Sequence, residues 1–168
     1  MNIAQIRYYD IANGPGIRSS LFVSGCTHNC KNCFNKMYQN FSYGRKLDAD
    51  IAKEIYLSVE NERVTGFNIL GGEPLQQTND SDLYNLVKEV SSLNKPIWLW
   101  TGYTFEELLD LDNFSKIKQI LQYVDVLIDG RFVEEQKDLS LFYRGSSNQR
   151  VLNCKKSLEF NKAVSIDI

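Results

Sequence analysis

The sequence predicts an α/β fold in a single domain that spans residues 1–168. Apolar runs of strand type alternate with segments of helical periodicity, glycine follows several of the strands, and neither a repeat nor a linker interrupts the chain. Strands that alternate with helices favour βα units and a mainly parallel sheet. The length of 168 residues agrees with the roughly 150 residues of one domain.

The first half of the chain alternates between predicted strands and predicted helices. Apolar runs at 18–24 and 65–70 predict two strands, and each run is followed by glycine. Between them, residues 47–62 carry apolar side chains at helical spacing, near an aspartate that can cap the helix. The same periodicity predicts a second helix at 81–93. A short apolar run at 96–100 then predicts a buried strand.

The second half continues this alternation. Thr104 and Glu107 have the spacing of a capping box, which predicts that a helix begins there. Helical periodicity continues over 114–122, and strands are expected at 124–128 and 163–168. In parallel sheets, ligands bind at the carboxyl ends of the strands. The predicted strand ends carry the following residues: Gly25-Cys26, Gly71-Gly72-Glu73-Pro74, Thr101-Gly102 and Asp129-Gly130.

The composition argues against several classes of function. The formal net charge is −2, with 43% hydrophobic and 24% charged residues, which is typical of a globular protein in water. Because no basic excess is present, we expect no nucleic-acid partner. No apolar run approaches the ~20 residues that span a bilayer, so we expect no membrane segment. The first residues lack the apolar core of a signal peptide, which leads us to expect a cytoplasmic protein with reduced thiols.

Three of the four cysteines form a motif that indicates a metal site. Cys26, Cys30 and Cys33 have the spacing C-x3-C-x2-C. In a reducing compartment such a cluster indicates a metal or redox site rather than a set of disulfides. Thiolates hold iron–sulfur clusters, and a [4Fe–4S] cluster normally has four of them. Three thiolates would leave one iron free for a substrate, by analogy with the open position of catalytic zinc sites.

The spacing alone leaves three other interpretations open. His28, the only histidine, could complete a zinc site, or Cys154 could supply a fourth thiolate from far along the chain. The three thiols could also be structural or redox groups that bind no metal. For the two outlying residues simpler roles are expected, Cys154 as a small buried hydrophobic residue and His28 as a loop residue.

A longer motif surrounds the cysteines. Residues 14–35 read GPGIRSSLFVSGCTHNCKNCFN, which closely resembles the signature of the glycyl-radical-enzyme activases, a branch of the radical S-adenosylmethionine superfamily. The resemblance implies a shortened, single-domain partial (open) βα barrel. It also implies that Cys26, Cys30 and Cys33 ligate three irons of a [4Fe–4S] cluster. The amino and carboxylate groups of S-adenosylmethionine would chelate the fourth iron.

The same resemblance implies which residues contact S-adenosylmethionine. Gly71-Gly72-Glu73-Pro74 matches the family's Gly-Gly-Glu-Pro motif. Glycine lets a backbone approach a ligand, and a carboxylate can accept hydrogen bonds from the ligand's ammonium group. Phe34 occupies the position of an aromatic residue near the adenine, and Thr101 and Asp129 are expected either near the cofactor or as helix caps. The implied cofactor contacts are Asn32, Cys33, Phe34, Gly71, Gly72 and Glu73.

The second half of the chain narrows the resemblance. Residues 98–103, 126–131 and 144–150 resemble segments of the proteins that activate anaerobic ribonucleotide reductase. This implies an oxidoreductase in which an external low-potential electron donor reduces the cluster. S-adenosylmethionine would then be cleaved to methionine and a 5′-deoxyadenosyl radical. The radical would take hydrogen from a glycine in the large subunit of anaerobic ribonucleoside-triphosphate reductase. The alternatives are activation of another glycyl radical enzyme, of the pyruvate formate-lyase type, and a zinc-binding adaptor without catalysis.

Overall fold

A computed structural model describes residues 1–167 of the chain, and a seven-stranded sheet forms its centre. The strands are β1 (Asn2–Asp10), β2 (Arg18–Val23), β3 (Arg45–Lys46), β4 (Gly66–Gly71), β5 (Ile97–Trp100), β6 (Val126–Asp129) and β7 (Arg150–Asn153). Their order across the sheet is β3-β1-β2-β4-β5-β6-β7, and the sheet does not close on itself. The predicted α/β class is confirmed.

The middle of the sheet is parallel and its two margins are antiparallel. β2 pairs with β4, β4 with β5 and β5 with β6 in parallel registers. β1 runs antiparallel to both β2 and β3, and β7 runs antiparallel to β6. The sheet is therefore mixed, and the expectation of a mainly parallel sheet is confirmed only for its middle. The four parallel strands are nevertheless the ones predicted, and their carboxyl ends lie at one edge of the sheet.

The helices bury their apolar sides in one core together with one face of the sheet. They are α1 (Ala49–Glu60), α2 (Asp82–Ser91), α3 (Phe105–Leu109), α4 (Phe114–Leu121) and α5 (Cys154–Phe160). Ile55 of α1 and Leu86 of α2 pack in this core with Ile69 of β4. The predicted capping box is confirmed at the start of α3, where the Glu107 N–H donates to Thr104 Oγ1 at 3.2 Å. α1, α2 and α4 also occupy the predicted segments.

The opposite face of the sheet carries a smaller apolar cluster and an open space. The cluster consists of Trp98, Val126, Ile128 and Val151. Phe22, Leu70 and Trp100, on the parallel strands β2, β4 and β5, border a cavity instead. No helix within residues 1–167 is both long enough and apolar enough to cross a membrane.

The end of the chain differs from the prediction. A strand was expected at 163–168, but the described part of this segment forms only an isolated bridge between Ser165 and Leu152. Ile168 lies outside the described residues. The bridge is held on the outer edge of β7 by the bonds from the Asn153 N–H to the Val164 carbonyl (2.8 Å) and from the Ile166 N–H to the Val151 carbonyl (2.9 Å). The paired stretch is too short to form a strand.

Candidate active site

A cavity lies where the four parallel strands end. Its volume is about 590 Å³, within the ~300–1,000 Å³ range of small-molecule sites. Residues from the loops after β2, β4, β5 and β6 line it: Cys26, Gly72, Thr101 and Gly130. The predicted strand ends therefore meet around one space, as the topology of parallel strands requires.

The loop after β2 carries all three clustered cysteines to the cavity. Gly25 begins this loop with a φ of +100°, a left-handed conformation that glycine adopts without strain. A Cβ at this position would lie 2.2 Å from the Phe41 ring. The N–H groups of Gly25 and Cys26 donate to the carbonyls of Tyr38 (2.7 Å) and Gln39 (3.1 Å), which closes the loop at its base. The residues that reach the cavity are Cys26, Cys30 and Cys33.

Two asparagines turn the chain between the cysteines. Asn29 and Asn32 have φ values of +49° and +53°, in the left-handed region that asparagine occupies more readily than most residues. Asn32 is exposed and is not among the residues that line the cavity. Its observed place is therefore that of a turn residue beside Cys33, and its contact with S-adenosylmethionine stays a prediction.

The surroundings of the thiols suit metal ligation better than thiol redox chemistry. Burial raises the pKa of the Cys26 thiol to about 11, and burial with a contribution from Cys33 raises the pKa of Cys30. Reactive cysteines instead have a lowered pKa, produced by nearby cations or by a helix N-terminus. A metal that binds a thiol displaces its proton, so a raised pKa is no obstacle to a metal site.

The described donors do not form a ready site for a single zinc ion. A zinc ion needs all its ligands at about 2.0–2.3 Å from one point. Within residues 1–167, no three His, Cys, Asp or Glu side chains lie close enough to hold one ion. His28 uses both ring nitrogens in hydrogen bonds, to Glu73 (2.9 Å) and from Arg131 (3.2 Å). The thiolates of a [4Fe–4S] cluster each bind a different iron, so they surround the cluster instead of meeting at a single ion.

The Gly71-Gly72 turn runs directly beside the cysteine loop. Gly71 has a φ of +107°, and a Cβ on Gly72 would lie 2.6 Å from the Gly25 carbonyl oxygen. The Gly72 N–H donates to the Val23 carbonyl, and the Glu73 N–H donates to that of Gly25, both at 2.8 Å. Only glycine permits this close approach. Both glycines line the cavity, so their backbone is accessible to a ligand.

The Glu73 carboxylate is buried and accepts four hydrogen bonds from the protein. The donors are His28 Nε2 (2.9 Å), Thr101 Oγ1 (2.8 Å), Gly102 N (2.7 Å) and Leu75 N (3.0 Å). These bonds compensate the burial of a charged group. They also join the loops after β2, β4 and β5 at one carboxylate. A contact between Glu73 and a ligand would have to share these oxygens, and it stays a prediction.

Phe34 and Asn35 extend the site from the third cysteine. Phe34 is 62% exposed, lines the cavity, and packs on Phe132 with ring centroids 5.0 Å apart. An exposed aromatic ring at a cavity can stack on a planar ligand. Asn35 Nδ2 donates to the Gly71 carbonyl at 3.3 Å, which links the cysteine loop to the Gly-Gly turn. The sequence places Asn35 in the family signature, but only the structure reveals this bond.

The segment 144–149, to which the sequence assigns no role, forms one wall of the cavity. Arg144, Gly145 and Gln149 line the cavity. Gln149 Oε1 accepts the Gly145 N–H (2.8 Å), and Gln149 Nε2 donates to the Gly130 carbonyl (2.9 Å). Arg144 Nη1 donates to the Gln149 carbonyl at 3.0 Å, while its buried Nε has no hydrogen-bond partner among the described residues. Gln149 therefore fastens this wall to the end of β6.

The remaining candidates have roles within the fold. The Asp129 carboxylate accepts the Phe105 N–H at 2.7 Å and pairs with Arg150, so it caps α3. Thr101 lines the cavity, although its hydroxyl donates to Glu73. Cys154 is fully buried in the core shared with the helices, and burial raises its pKa to about 12. Its expected role as a small buried residue is confirmed.

Known proteins resemble this chain over most of its length. A family model described as a 4Fe–4S single cluster domain matches residues 12–152. An anaerobic ribonucleoside-triphosphate reductase-activating protein of Vibrio cholerae is 40% identical over 153 residues, which cover 89% of this chain and 96% of the relative. Relatives of the same name from Pasteurella multocida and Escherichia coli are 42% and 39% identical. The match with the Pasteurella multocida protein covers 95% of that relative and 89% of this chain. The match with the Escherichia coli protein covers 97% of that relative and 90% of this chain.

The cysteine loop, the glycine turn and the matched cluster domain all fall within the region shared with these relatives. Identity near 40% over about nine-tenths of both chains far exceeds what a shared fold alone would produce. This chain therefore belongs to the family of anaerobic ribonucleoside-triphosphate reductase-activating proteins and contains its iron–sulfur cluster domain.

Proposed function

We propose that this protein is an activase that cleaves S-adenosylmethionine reductively and generates a glycyl radical on anaerobic ribonucleoside-triphosphate reductase. One observation carries the proposal: three thiols and the Gly71-Gly72 turn border the same cavity. The candidate metal ligands therefore border the same cavity as a glycine backbone that a ligand can approach closely. The relatives are named for activation of this reductase, and we extend that target to this chain.

In the proposal, Cys26, Cys30 and Cys33 bind three irons of a [4Fe–4S] cluster. The fourth iron then keeps an open position for the amino and carboxylate groups of S-adenosylmethionine. When bound and reduced, such a cluster supplies the electron that cleaves S-adenosylmethionine to methionine and a 5′-deoxyadenosyl radical, which takes hydrogen from a glycine. The chain itself holds, orients and shields the reactants.

We propose contacts with S-adenosylmethionine mainly from groups that face the cavity. The Gly71-Gly72 backbone would accept hydrogen bonds from the ammonium group. Glu73 would hold this turn in position, and its carboxylate would contribute negative charge behind it. The exposed ring of Phe34 would stack on adenine. Cys33 and Asn32 would complete the contacts from the cysteine loop, although Asn32 does not line the cavity.

The partner is proposed to present its glycine to the open side of the cavity. This sequence has no Arg-Val-x-Gly-Tyr segment, and its nearest match, 150–154, contains no glycine. We therefore propose that the target glycine lies in another polypeptide, the large subunit of the reductase. An external low-potential donor would supply the electron. The reducing cytoplasm is the compartment that suits such thiolate ligands.

We also propose a finer description of the fold. The parallel strands β2, β4, β5 and β6 with their helices would form the shortened, partial barrel of the radical S-adenosylmethionine type. The cavity lies at the carboxyl ends of these strands, where barrels of βα units place their active sites.

Anaerobic reconstitution tests the proposal. The protein is loaded with iron and sulfide and reduced, and S-adenosylmethionine and the large subunit of an anaerobic ribonucleoside-triphosphate reductase are added. We expect an electron paramagnetic resonance signal of a reduced cluster that changes with S-adenosylmethionine. Release of 5′-deoxyadenosine and a glycyl radical signal on the large subunit should follow.

Two cysteine variants make the test specific. Cys30→Ala removes a thiol at the cavity and should abolish both 5′-deoxyadenosine and the glycyl radical. Cys154→Ala removes a thiol from the core, away from the cavity, and should leave both products within about twofold of the unmodified protein. Zinc without iron in the isolated protein, or a cluster that ignores S-adenosylmethionine, would contradict the proposal and favour the adaptor. A glycyl radical on a formate-lyase type enzyme alone would favour the other activase.

A further inference from the structure

His28 occupies an unusual place for a residue in a surface loop. It lies between Cys26 and Cys30 in the sequence, yet its side chain is only 5% exposed. Its ring packs edge-on against Tyr103, with ring centroids 4.5 Å apart. A Cβ on Gly102 would lie 2.4 Å from His28 Cδ2, so glycine at position 102 makes room for the ring. The loop after β5 is thus shaped around this histidine.

The partners of His28 define which ring nitrogen carries a hydrogen. Arg131 Nε always carries a hydrogen and donates it to His28 Nδ1 at 3.2 Å. Nδ1 is therefore an acceptor, and the hydrogen of the neutral ring lies on Nε2. Nε2 donates in turn to Glu73 Oε2 at 2.9 Å. The two hydrogen bonds fix both the ring orientation and the tautomer, as outer partners do for metal-bound histidines.

These contacts connect the cysteine loop to three strand ends. Glu73 follows β4, Gly102 and Tyr103 follow β5, and Arg131 follows β6. Arg131 is itself held by Glu107, whose carboxylate lies 3.1 Å from Arg131 Nη1. Between Cys26 and Cys30, the side chain that contacts Glu73, Tyr103 and Arg131 is that of His28. The Glu73 N–H and the Asn35 side chain already join the turn to the two ends of the cysteine loop. The bond from His28 to Glu73 adds a tie for the stretch between Cys26 and Cys30.

We propose that His28 is a positioning residue that sets the placement of the cysteine loop relative to the Gly71-Gly72 turn, through its bond to Glu73. The inference rests on the proposed function, in which the cysteines hold the cluster and the turn holds S-adenosylmethionine. Electron transfer and bond cleavage both need the two reactants in a fixed relative position. His28 lines the cavity, but its two ring nitrogens are engaged by Glu73 and Arg131, so we assign it a positioning role rather than a contact with either reactant.

Loss of this bond should separate cluster assembly from cofactor binding. The three thiols remain when His28 is replaced, so iron and sulfide should still assemble. S-adenosylmethionine should bind less well and in a less uniform position, because the stretch between Cys26 and Cys30 loses its bond to Glu73. Partners that orient metal-binding groups typically contribute about 10- to 100-fold to affinity or activity.

Two substitutions at position 28 test the two hydrogen bonds of the ring separately. His28→Gln places an N–H donor close to the position of Nε2 and preserves the bond to Glu73. His28→Asn places an acceptor close to the position of Nδ1 and preserves only the bond from Arg131. We measure iron per chain, the melting temperature without iron, and the concentration of S-adenosylmethionine that half-saturates the change in the reduced cluster's resonance signal. A purely structural role would change the melting temperature but not the half-saturating concentration.

We expect His28→Asn to keep its iron content and to raise the half-saturating concentration about tenfold or more. His28→Gln should raise it about threefold or less. Lys31→Gln, which removes an exposed ion pair with Glu135 from the same loop, serves as a matched control and should behave like the unmodified protein. Should His28→Asn fail to fold, Arg131→Gln keeps His28 and the Glu73 bond, and it should raise the concentration only about threefold or less.

The possible outcomes separate this inference from the proposed function. If the unmodified protein shows no signal change with S-adenosylmethionine, the proposed function itself fails. If it does show the change and His28→Asn saturates at the same concentration, only the positioning role of His28 is overturned. Equal weakening in the Asn and Gln variants would also overturn it, because the Glu73 bond would then not be the decisive contact.

Discussion

Arg18 explains part of the glycine-rich segment that precedes the cysteines. It is a fully buried guanidinium that donates to Asn68 Oδ1 (2.6 Å) and to the carbonyls of Phe67 (3.0 Å) and Pro96 (2.9 Å). None of these acceptors is a carboxylate, and burial lowers the pKa of Arg18 to about 10. Its Cζ atom also lies 5.0 Å from the Trp98 ring centroid, where the ring face attracts a cation.

Two glycines make room for this arginine. A Cβ on Gly14 would lie 2.6 Å from Arg18 Cδ, and one on Gly66 would lie 2.2 Å from Arg18 Nη1. Gly14 has a φ of +108° and would resist substitution for backbone reasons as well. Gly66 has no positive φ, and the three atoms nearest to its Cβ would all belong to the guanidinium. The match of Gly14 and Arg18 to the family signature therefore reflects packing under the site rather than cofactor contact.

Gly66→Ala should destabilise the fold mainly through that contact. We expect a loss of about 1–3 kcal/mol, because an added methyl group in a packed core forces its neighbours to shift. The free energy of unfolding in urea provides the measurement. Arg18→Ala is the partner in a double-mutant cycle, and Gly66→Ala should cost less in that background. Equal costs in both backgrounds would show that the guanidinium is not the obstacle.

At the scale of elements, Arg150 holds three segments together. Its Nε and Nη2 bind the two oxygens of Asp129 at 2.9 and 2.5 Å, and it also pairs with Glu106. Asp129 ends β6, Glu106 belongs to α3, and Arg150 begins β7. Asp129 is fully buried, whereas the Glu106 side chain is 57% exposed. The antiparallel margin of the sheet is thus joined to the strand that borders the cavity.

Arg150→Met should cost about 2–3 kcal/mol in unfolding free energy, because it leaves the buried carboxylate without its cation. Glu106→Gln removes only the exposed partner and should cost less than about 1 kcal/mol. Both variants are compared by urea unfolding at pH 7. If the two substitutions cost the same, the buried pair with Asp129 does not hold this margin.

The elements that the sequence predicted share strong local signals. Helices α1, α2 and α4 have periodic apolar residues, and α3 has its capping box. The sequence missed β1, because this marginal strand has few buried residues to mark its pattern. It also missed β7 and α5, since the strand passes into the helix with no intervening loop. The helix begins at Cys154, where the Asn153 side chain accepts the Lys156 N–H at 3.0 Å.

The site, too, contains residues that a local motif predicts and residues whose partners lie far along the chain. The three cysteines and the Gly-Gly turn were predictable because each is a contiguous motif. The partners of His28 were not, because Glu73 and Arg131 lie 45 and 103 residues away along the chain. A single sequence carries no signal of such pairings. The same limit applies to Gln149, whose amide holds the cavity wall to Gly130 across 19 residues.

At the scale of the whole molecule, the two faces of the sheet have different roles. One face forms the large core with the helices. The other face is partly covered by segments that pack on the cysteine loop. In that cover, Phe132 packs on Phe34, and Lys137 Nζ lies 5.3 Å from the centroid of the Phe34 ring. A change in the mobility of the cysteine loop should therefore change the mobility of the segment that contains Phe132 and Lys137.

Loading the cysteines should protect this cover from proteolysis. Iron and sulfide would fix Cys33, which precedes Phe34, and a ligand that binds only the folded state lowers the population of open forms. Lys137 is exposed, and cleavage there by trypsin requires local opening of the segment. We expect cleavage after Lys137 to slow about tenfold on reconstitution, measured by mass spectrometry of the fragments under anaerobic conditions. Cys30→Ala, treated with the same iron and sulfide, should gain no protection. If the unmodified protein is cleaved equally fast in both forms, the cover opens independently of the cysteine loop, and the coupling between them is refuted.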